Sequence, residues 1–319
     1  MKSSDLRVLA LLVVVFAAAA IKAPRILEPT SISSILLWIP LLTVMAVGQM
    51  FVIVSRGIDV SIGSILGFSG IAVGLLFKAN PGLNVFLGAG FALAVGAVLG
   101  FVNGALIARV RIPPIIVTLG TLSVYRGLTF MLSGGEQIVS NNLPSALADW
   151  SVQGPVRVGG VTLPWILVFP LVVAVAGHVL GRRTVAGRNL YAIGSNAEAA
   201  KVHGIRVNGL TILAYTLSGA LAGFAGILYA SRNMSVNPGT AGLGIELNVI
   251  AATVIGGTDV RGGSGSIIGV VIGCVLLGVI NVALSVTGIA ADWQMLVYGA
   301  VILLALAMDA LFAPRRATA

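Results

Sequence analysis

The chain has 319 residues, 58% of them hydrophobic and only 9% charged, whereas soluble domains carry roughly 25% charged residues. That excludes a water-soluble fold, so lipid must be the solvent over most of the surface. The formal charge of +9 is distributed in short loops between apolar runs, which reads as membrane topology rather than nucleic-acid binding; a single cysteine, Cys274, and two histidines offer neither an internal disulfide nor a metal site.

Lys2 and Arg7 precede the first apolar run, Val8–Ile21, in which Ala17 to Ala20 resemble a cleavage site. This is either a signal peptide or a retained first helix, and the many apolar segments that follow favour the helix. Runs of about 20 residues predict spanning helices at Ile35–Val54, Val60–Phe77, Val85–Ala108, Ile115–Leu132, Val161–Gly181, Val207–Ser231, Ser264–Thr287 and Trp293–Met308. Glu246–Thr258 is too short to span unaided. It predicts a half-helix or re-entrant element, which survives only under protein or in a water-filled cavity.

The expected fold is therefore all-α: one polytopic helical bundle over residues 1–319, with about ten full or partial crossings. With both termini inside, most basic residues, among them Arg109, Arg182, Arg188, Arg261 and Arg316, fall on the inner side. Lys22, Arg25, Lys78, Arg157 and Arg232 fall outside, an asymmetry that supports this orientation. Small-residue ladders at Gly70/Gly74, Gly96/Gly100/Gly104, Gly219/Gly223 and Gly265/Gly269/Gly273 predict close helix–helix contact. A weak internal echo pairs Gly57-Ile58-Asp59-Val60 and Gly63-Ser64-Ile65 with Gly257-Thr258-Asp259-Val260 and Gly265-Ser266-Ile267.

The most basic stretch is 182–206, which sets Arg182, Arg183, Arg188, Lys201 and Arg206 against one acid, Glu198. Ser195 and Glu198 have capping-box spacing. Ala199 and Ala200 are strong helix formers, and Gly204 is a natural C′ stop. The pattern predicts a short helix of about two turns between two membrane spans. Such a rigid helix with a small-residue face either docks in a groove of a partner or rests on lipid headgroups through its basic residues.

Five further residues stand out. Arg126 lies in an apolar stretch, where a charge costs roughly 2.5–3.5 kcal/mol on insertion scales; it is either functional or near an interface. Asp59 has Arg56 as a nearby base and reads as an N-cap for the helix from Val60. Asp259 reads similarly, with Arg261 as its partner. Asn103 and Asn281 lie in apolar helices, where they serve either as interhelical glue, the commoner case, or as pathway contacts.

Glu198-Ala199-Ala200-x-x-x-Gly204 resembles the EAA–Gly coupling loop of ATP-binding-cassette (ABC) import permeases. The wider segment from Ala192 is similar to the ribose-type branch of that family. So are Gly57-Ile58-Asp59-Val60-Ser61-Ile62-Gly63-Ser64, Pro113-Pro114-Ile115-Ile116-Val117-Thr118-Leu119-Gly120-Thr121, and Ile255-Gly256-Gly257-Thr258 with Gly262-Gly263-Ser264-Gly265. Gly120-Thr121-Leu122 with Tyr125-Arg126-Gly127 and Gly134-Gly135 looks closest to the rhamnose and autoinducer-type members. Pro113-Pro114 departs from a pattern that more often has one proline.

The resemblance covers about Gln49 to Asp309 and implies a type II importer-like permease of the bacterial inner membrane. It further implies a second permease copy or homologous permease, two ATPase subunits or a fused pair, and a periplasmic or lipid-anchored solute-binding protein. Carbohydrates and related polyols are the implied substrates. Coupling to the ATPase would fall on Ser195, Glu198, Ala199, Ala200, Lys201 and Gly204, and pathway contacts on Asp59, Asn103, Arg126 and Asn281. ATP and Mg²⁺ would be bound by the ATPase partner and no cofactor by this chain, because no Gly-Lys dipeptide exists to form a P-loop. No Gly-x-Ser-x-Gly elbow marks a hydrolase. The rival reading is an autonomous secondary transporter or channel, which would need its own acidic ion site at mid-membrane.

Overall fold

A computed structural model describes residues 3–288 and, beyond them, Trp293, Leu296, Gly299 and Ala300. Apart from those four positions, the expected helix Trp293–Met308 lies outside the described residues. The elements are α1 (Ser3–Lys22), α2 (Pro29–Val54), α3 (Ile62–Ala79), α4 (Val85–Ala105, continued by a π-helical turn Leu106–Val110), α5 (Pro114–Ser133), α6 (Ser145–Val152), β1 (Val156–Val158), β2 (Val161–Leu163), α7 (Val168–Arg183), α8 (Val185–Ser195), α9 (Ala197–Val202), α10 (Val207–Asn233), α11 (Ile245–Ile255) and α12 (Ile267–Val286).

Among the described residues, seven helices are long and apolar enough to cross a membrane: α2, α3, α4 with its π turn, α5, α7 with the 3-10 turn before it, α10 and α12. That is fewer than the ten or so expected. α1 forms but is not among the seven, α11 has only 11 residues, and the last expected helix is not described. Pro113 stands at the N-cap of α5 and Pro114 at its first helical position, where a missing N–H costs nothing. The doubled proline therefore starts the helix rather than displacing it.

The glycine ladders set the packing. α4 and α10 touch backbone to backbone: a Cβ on Gly96 or Gly100 would collide with the main chain at Gly219, Gly223 and Tyr215, and one on Gly219 or Gly223 with the main chain of α4. Gly70 faces Gly226, while Gly269 and Gly273 face Gly256 and Ala252. Between these contacts runs α2, apolar on all sides and 83% buried over its spanning window, as expected of a central helix. α1 lies against α12 through Leu12, Val15, Phe16, Val279 and Val282.

Two apolar runs depart from the expected helices. Val161–Leu163 pairs antiparallel with Val156–Val158, so the crossing begins only at Trp165. Gly159 and Gly160, at φ +56° and +85°, make the two-residue turn that favours this hairpin. After α10 the chain does not re-form a helix until Ile245. Residues 234–244 run non-helically along α3, with Val236 bridged to Ile138, Ala241 beside Gly67 and Gly242 beside Gly63. α11 is thus the expected half-helix under protein cover.

The internal echo is also structural. Asp59 accepts from the Ser61 N–H at 3.0 Å and Asp259 from the Arg261 N–H at 2.9 Å. Each closes an Asx turn a few residues ahead of a long helix. Asp259 also pairs with the Arg261 guanidinium at 3.3 Å.

Candidate functional site

The 182–206 segment folds as α8 and α9, with a helix boundary at Asn196 rather than Ser195. Asn196 caps α9, its Oδ1 accepting from the Ala199 N–H at 3.0 Å. Ser195 is the last residue of α8, and its Oγ donates to Tyr191 O at 3.0 Å. Glu198 turns to Lys201 at 2.7 Å. The expected Ser195–Glu198 capping box is therefore absent, because the unbroken α8 already uses Ser195, and the asparagine one place on is an equally good cap.

The end of α9 is as expected. Gly204 has φ +75°. Its N–H bonds to Lys201 O at 2.9 Å, and the Ile205 N–H to Ala200 O at 3.0 Å, the two bonds of a Schellman motif. Glu198, Ala199, Lys201, His203 and Gly204 are exposed. Ala200 is not: at 4% exposure it faces inward against the chain's own bundle. The residue missed in the sequence is Val202, 86% exposed. A β-branched apolar side chain so fully in solvent, on a helix capped at both ends, was visible as an apolar position inside a basic loop. On α8, burial raises the Tyr191 phenol above its ordinary pKa, against the opposing pull of Arg182.

Arg56 meets this segment from α2. Its Nε donates to Gly194 O at 2.7 Å and Arg261 O at 3.1 Å, and its Nη2 to Ser195 O at 2.9 Å. It is therefore not the partner of Asp59. A cavity of about 410 Å³ at the same end is lined by Asp5, His178, Arg182, Tyr191 and Ser266. The start of α1 and the 182–206 loop thus lie at one end of the bundle. None of Asp59, Asn103, Arg126 or Asn281 lines that cavity.

Asp59 and Asn103, both fully buried, belong to one network. Asp59 Oδ1 accepts from Ser61 Oγ at 2.6 Å. Asn103 Nδ2 donates to the same hydroxyl at 2.8 Å and its Oδ1 accepts from Tyr125 OH at 3.0 Å. This joins the α2–α3 loop to α4 and α5, which is the glue role. α3 starts at Ile62, and Asp59 holds the turn before it rather than capping it directly; among the described residues its Oδ2 has no donor at full hydrogen-bond geometry, although the Asn103 amide acts on the carboxylate.

Arg126 is half-buried, about 18 Å along α5 at 1.5 Å per residue. Its Nη1 donates to Ala241 O at 2.6 Å and Pro238 O at 3.4 Å. Those carbonyls belong to the non-helical 234–244 stretch, whose turns satisfy only part of its backbone and which therefore needs outside donors where no water reaches it. Glu246, in the first turn of α11 and likewise half-buried, acts on Arg126 electrostatically and abuts Gly63. Its link to Arg126, 120 residues earlier in the chain, had no local sequence signal. Asn281 is half-buried on α12.

Known proteins resemble this chain in sequence. Residues 31–306 match the family described as branched-chain amino acid transport system / permease component. The chain is 39% identical over 269 residues to the autoinducer 2 import system permease protein LsrC of Yersinia enterocolitica, covering 84% of this chain and 72% of that one. It is 36% identical over 309 residues to the LsrC of Enterobacter sp. strain 638, covering 97% and 87%, and 39% identical to that of Yersinia pestis strain Pestoides F, covering 84% and 74%. No solved structure matches.

Proposed function

Because the chain belongs to the family of branched-chain amino acid transport system permease components, we propose that it is the membrane-spanning subunit of an ABC importer for a small polar solute of the monosaccharide or polyol type. The relatives named as autoinducer 2 import permeases support inward movement. The ribose-type motifs support a hydroxylated cargo. The observation that carries the reading is α9: a helix capped at Asn196, closed at Gly204, and presenting Glu198, Ala199 and Val202 to solvent at one end of a lipid-facing bundle.

In this reading α9 docks on a separate ATPase subunit that binds ATP and Mg²⁺. Two permeases, identical or homologous, enclose the pathway, and a periplasmic or lipid-anchored binding protein delivers the solute. The chain is a single multi-pass domain of about ten crossings in the inner membrane, with both termini cytoplasmic. Arg126 and Glu246 are the polar contacts offered to solute hydroxyls. Asn103 holds helices together instead.

The test is co-purification of the chain with its ATPase, followed by solute uptake in proteoliposomes. Uptake that requires ATP, Mg²⁺ and the ATPase supports the reading. A second reading, an autonomous secondary transporter, draws on Asp59, a fully buried acid of the α2–α3 loop, and Glu246, half-buried in the first turn of α11. Uptake by this chain alone, driven by an ion gradient, would establish that reading and remove the first.

A further inference from the structure

Arg56 occupies the C′ position after α2 with φ +67°. The Arg56 N–H bonds to Ile53 O and the Gly57 N–H to Val52 O, both at 2.9 Å. This is a second Schellman motif, in which the left-handed residue is normally glycine. Glycine is unstrained there and arginine is not. A residue that holds a disfavoured backbone conformation points to a use for its side chain.

That side chain joins three loops. Two of its acceptors, Gly194 O and Ser195 O, are the last carbonyls of α8. The guanidinium thus fills acceptors that no helical N–H reaches, at the negative end of the helix dipole. The next residue, Asn196, is the cap of α9. The third acceptor, Arg261 O, lies in the turn between α11 and α12, where the Gly263 N–H also donates to Val54 O at 2.8 Å. A Cβ on Gly194 would strike Val54 O, and one on Gly263 the backbone of Ser195. The α2–α3, α8–α9 and α11–α12 connections therefore meet at close range around one planar cation. A guanidinium can donate to several acceptors in fixed directions, which a lysine ammonium cannot match.

We propose that Arg56 is the positioning residue through which a displacement of α9 reaches α2 and the α11–α12 unit. This rests on the reading of α9 as the helix that docks on the ATPase. Without Arg56, the α8–α9 corner meets α2 and the α11–α12 turn only through the van der Waals approaches of Gly194 to Val54 and of Gly263 to Ser195, which resist a push but carry no directed bond from one segment to the next.

The experiment uses the permease–ATPase complex in proteoliposomes. A Cys274→Ala background carries a cysteine at the exposed Leu247 of α11, labelled with an environment-sensitive fluorophore. The signal is the fluorescence change on adding MgATP and vanadate. Arg56→Ala and Arg56→Gly should both keep the ATPase bound and hydrolysing while reducing the signal about tenfold or more, as the loss of charge-assisted hydrogen bonds implies. Arg56→Lys should fall between them and the parent. A merely structural role predicts the opposite for Arg56→Gly, which relieves the φ strain and should then behave as the parent does. A parental signal in Arg56→Gly, or in Arg56→Lys should the glycine variant not fold, overturns the proposal. Failure of the α9 reading shows separately: in that case Val202→Asp leaves the ATPase bound.

Discussion

Asp59 is fully buried with one carboxylate oxygen engaged by Ser61 and, among the described residues, no donor at full hydrogen-bond geometry on the other. Asp59→Asn keeps the acceptor and replaces the bare oxygen with an amide, so thermal unfolding in detergent should show stability equal to or above the parent. Asp59→Ala strands the Ser61 N–H and should cost about 1–3 kcal/mol. A melting temperature for the alanine variant equal to the parent would show that the Asx turn contributes nothing. Arg126 should behave differently. Its replacement by Met leaves Ala241 O and Pro238 O without their donor and should loosen residues 234–244, seen as faster proteolysis or hydrogen exchange there. Both effects depend on neighbours far away in the chain, which is why the sequence could mark these residues as unusual without saying what each one touches.

α9 shows which parts of an element are local. Its stop at Gly204 and its alanine-rich body were legible from propensity and from the need for φ > 0 at C′. Gly204→Val should therefore be severe for assembly, because a β-branched residue resists that geometry. Which faces look inward was not legible in so short a helix. Ala200, a candidate for docking in the sequence, is buried in the chain's own fold. Ala200→Trp should consequently lower the stability of the permease itself by overpacking, about 1–3 kcal/mol. Val202→Asp should leave stability unchanged and abolish ATPase co-purification. If the two variants exchange these phenotypes, the orientation of α9 is wrong. The same logic separates α4 from a simple apolar span. Gly100→Leu should prevent α4 from seating on α10, because the opposing atoms are backbone and cannot move aside. Loss of a folded, monodisperse protein in detergent is the expected result.

At the scale of the molecule, the bundle places the first turn of α1 and the 182–206 loop at one end, and α6 with the β1–β2 hairpin belongs to the connection between α5 and α7. Cysteines at Arg25, Arg157 and Arg232 in a Cys274→Ala background should accept a membrane-impermeant label from outside intact cells, and those at Arg188 and Arg316 should not; external labelling at position 188 would invert the orientation. The sequence by itself determined that the chain is a helical membrane protein, because 9% charged residues cannot cover a soluble fold. It also determined where most spans run, since an apolar run of about 20 residues has few other ways to satisfy its backbone in lipid. Its ordered motifs marked the permease family. The tertiary structure alone decided that the run from Val161 opens with a hairpin strand, that Asn196 and not Ser195 caps α9, and that Ala200 faces in while Val202 faces out. It alone brought Arg126 to the carbonyls of residues 238 and 241, and Arg56 to those of 194, 195 and 261. The physical reason is common to all of these. Hydropathy and propensity act over one or two helical turns, whereas a buried polar group or an inward-facing alanine is chosen by whichever segment packs beside it, and that segment can lie anywhere along the chain.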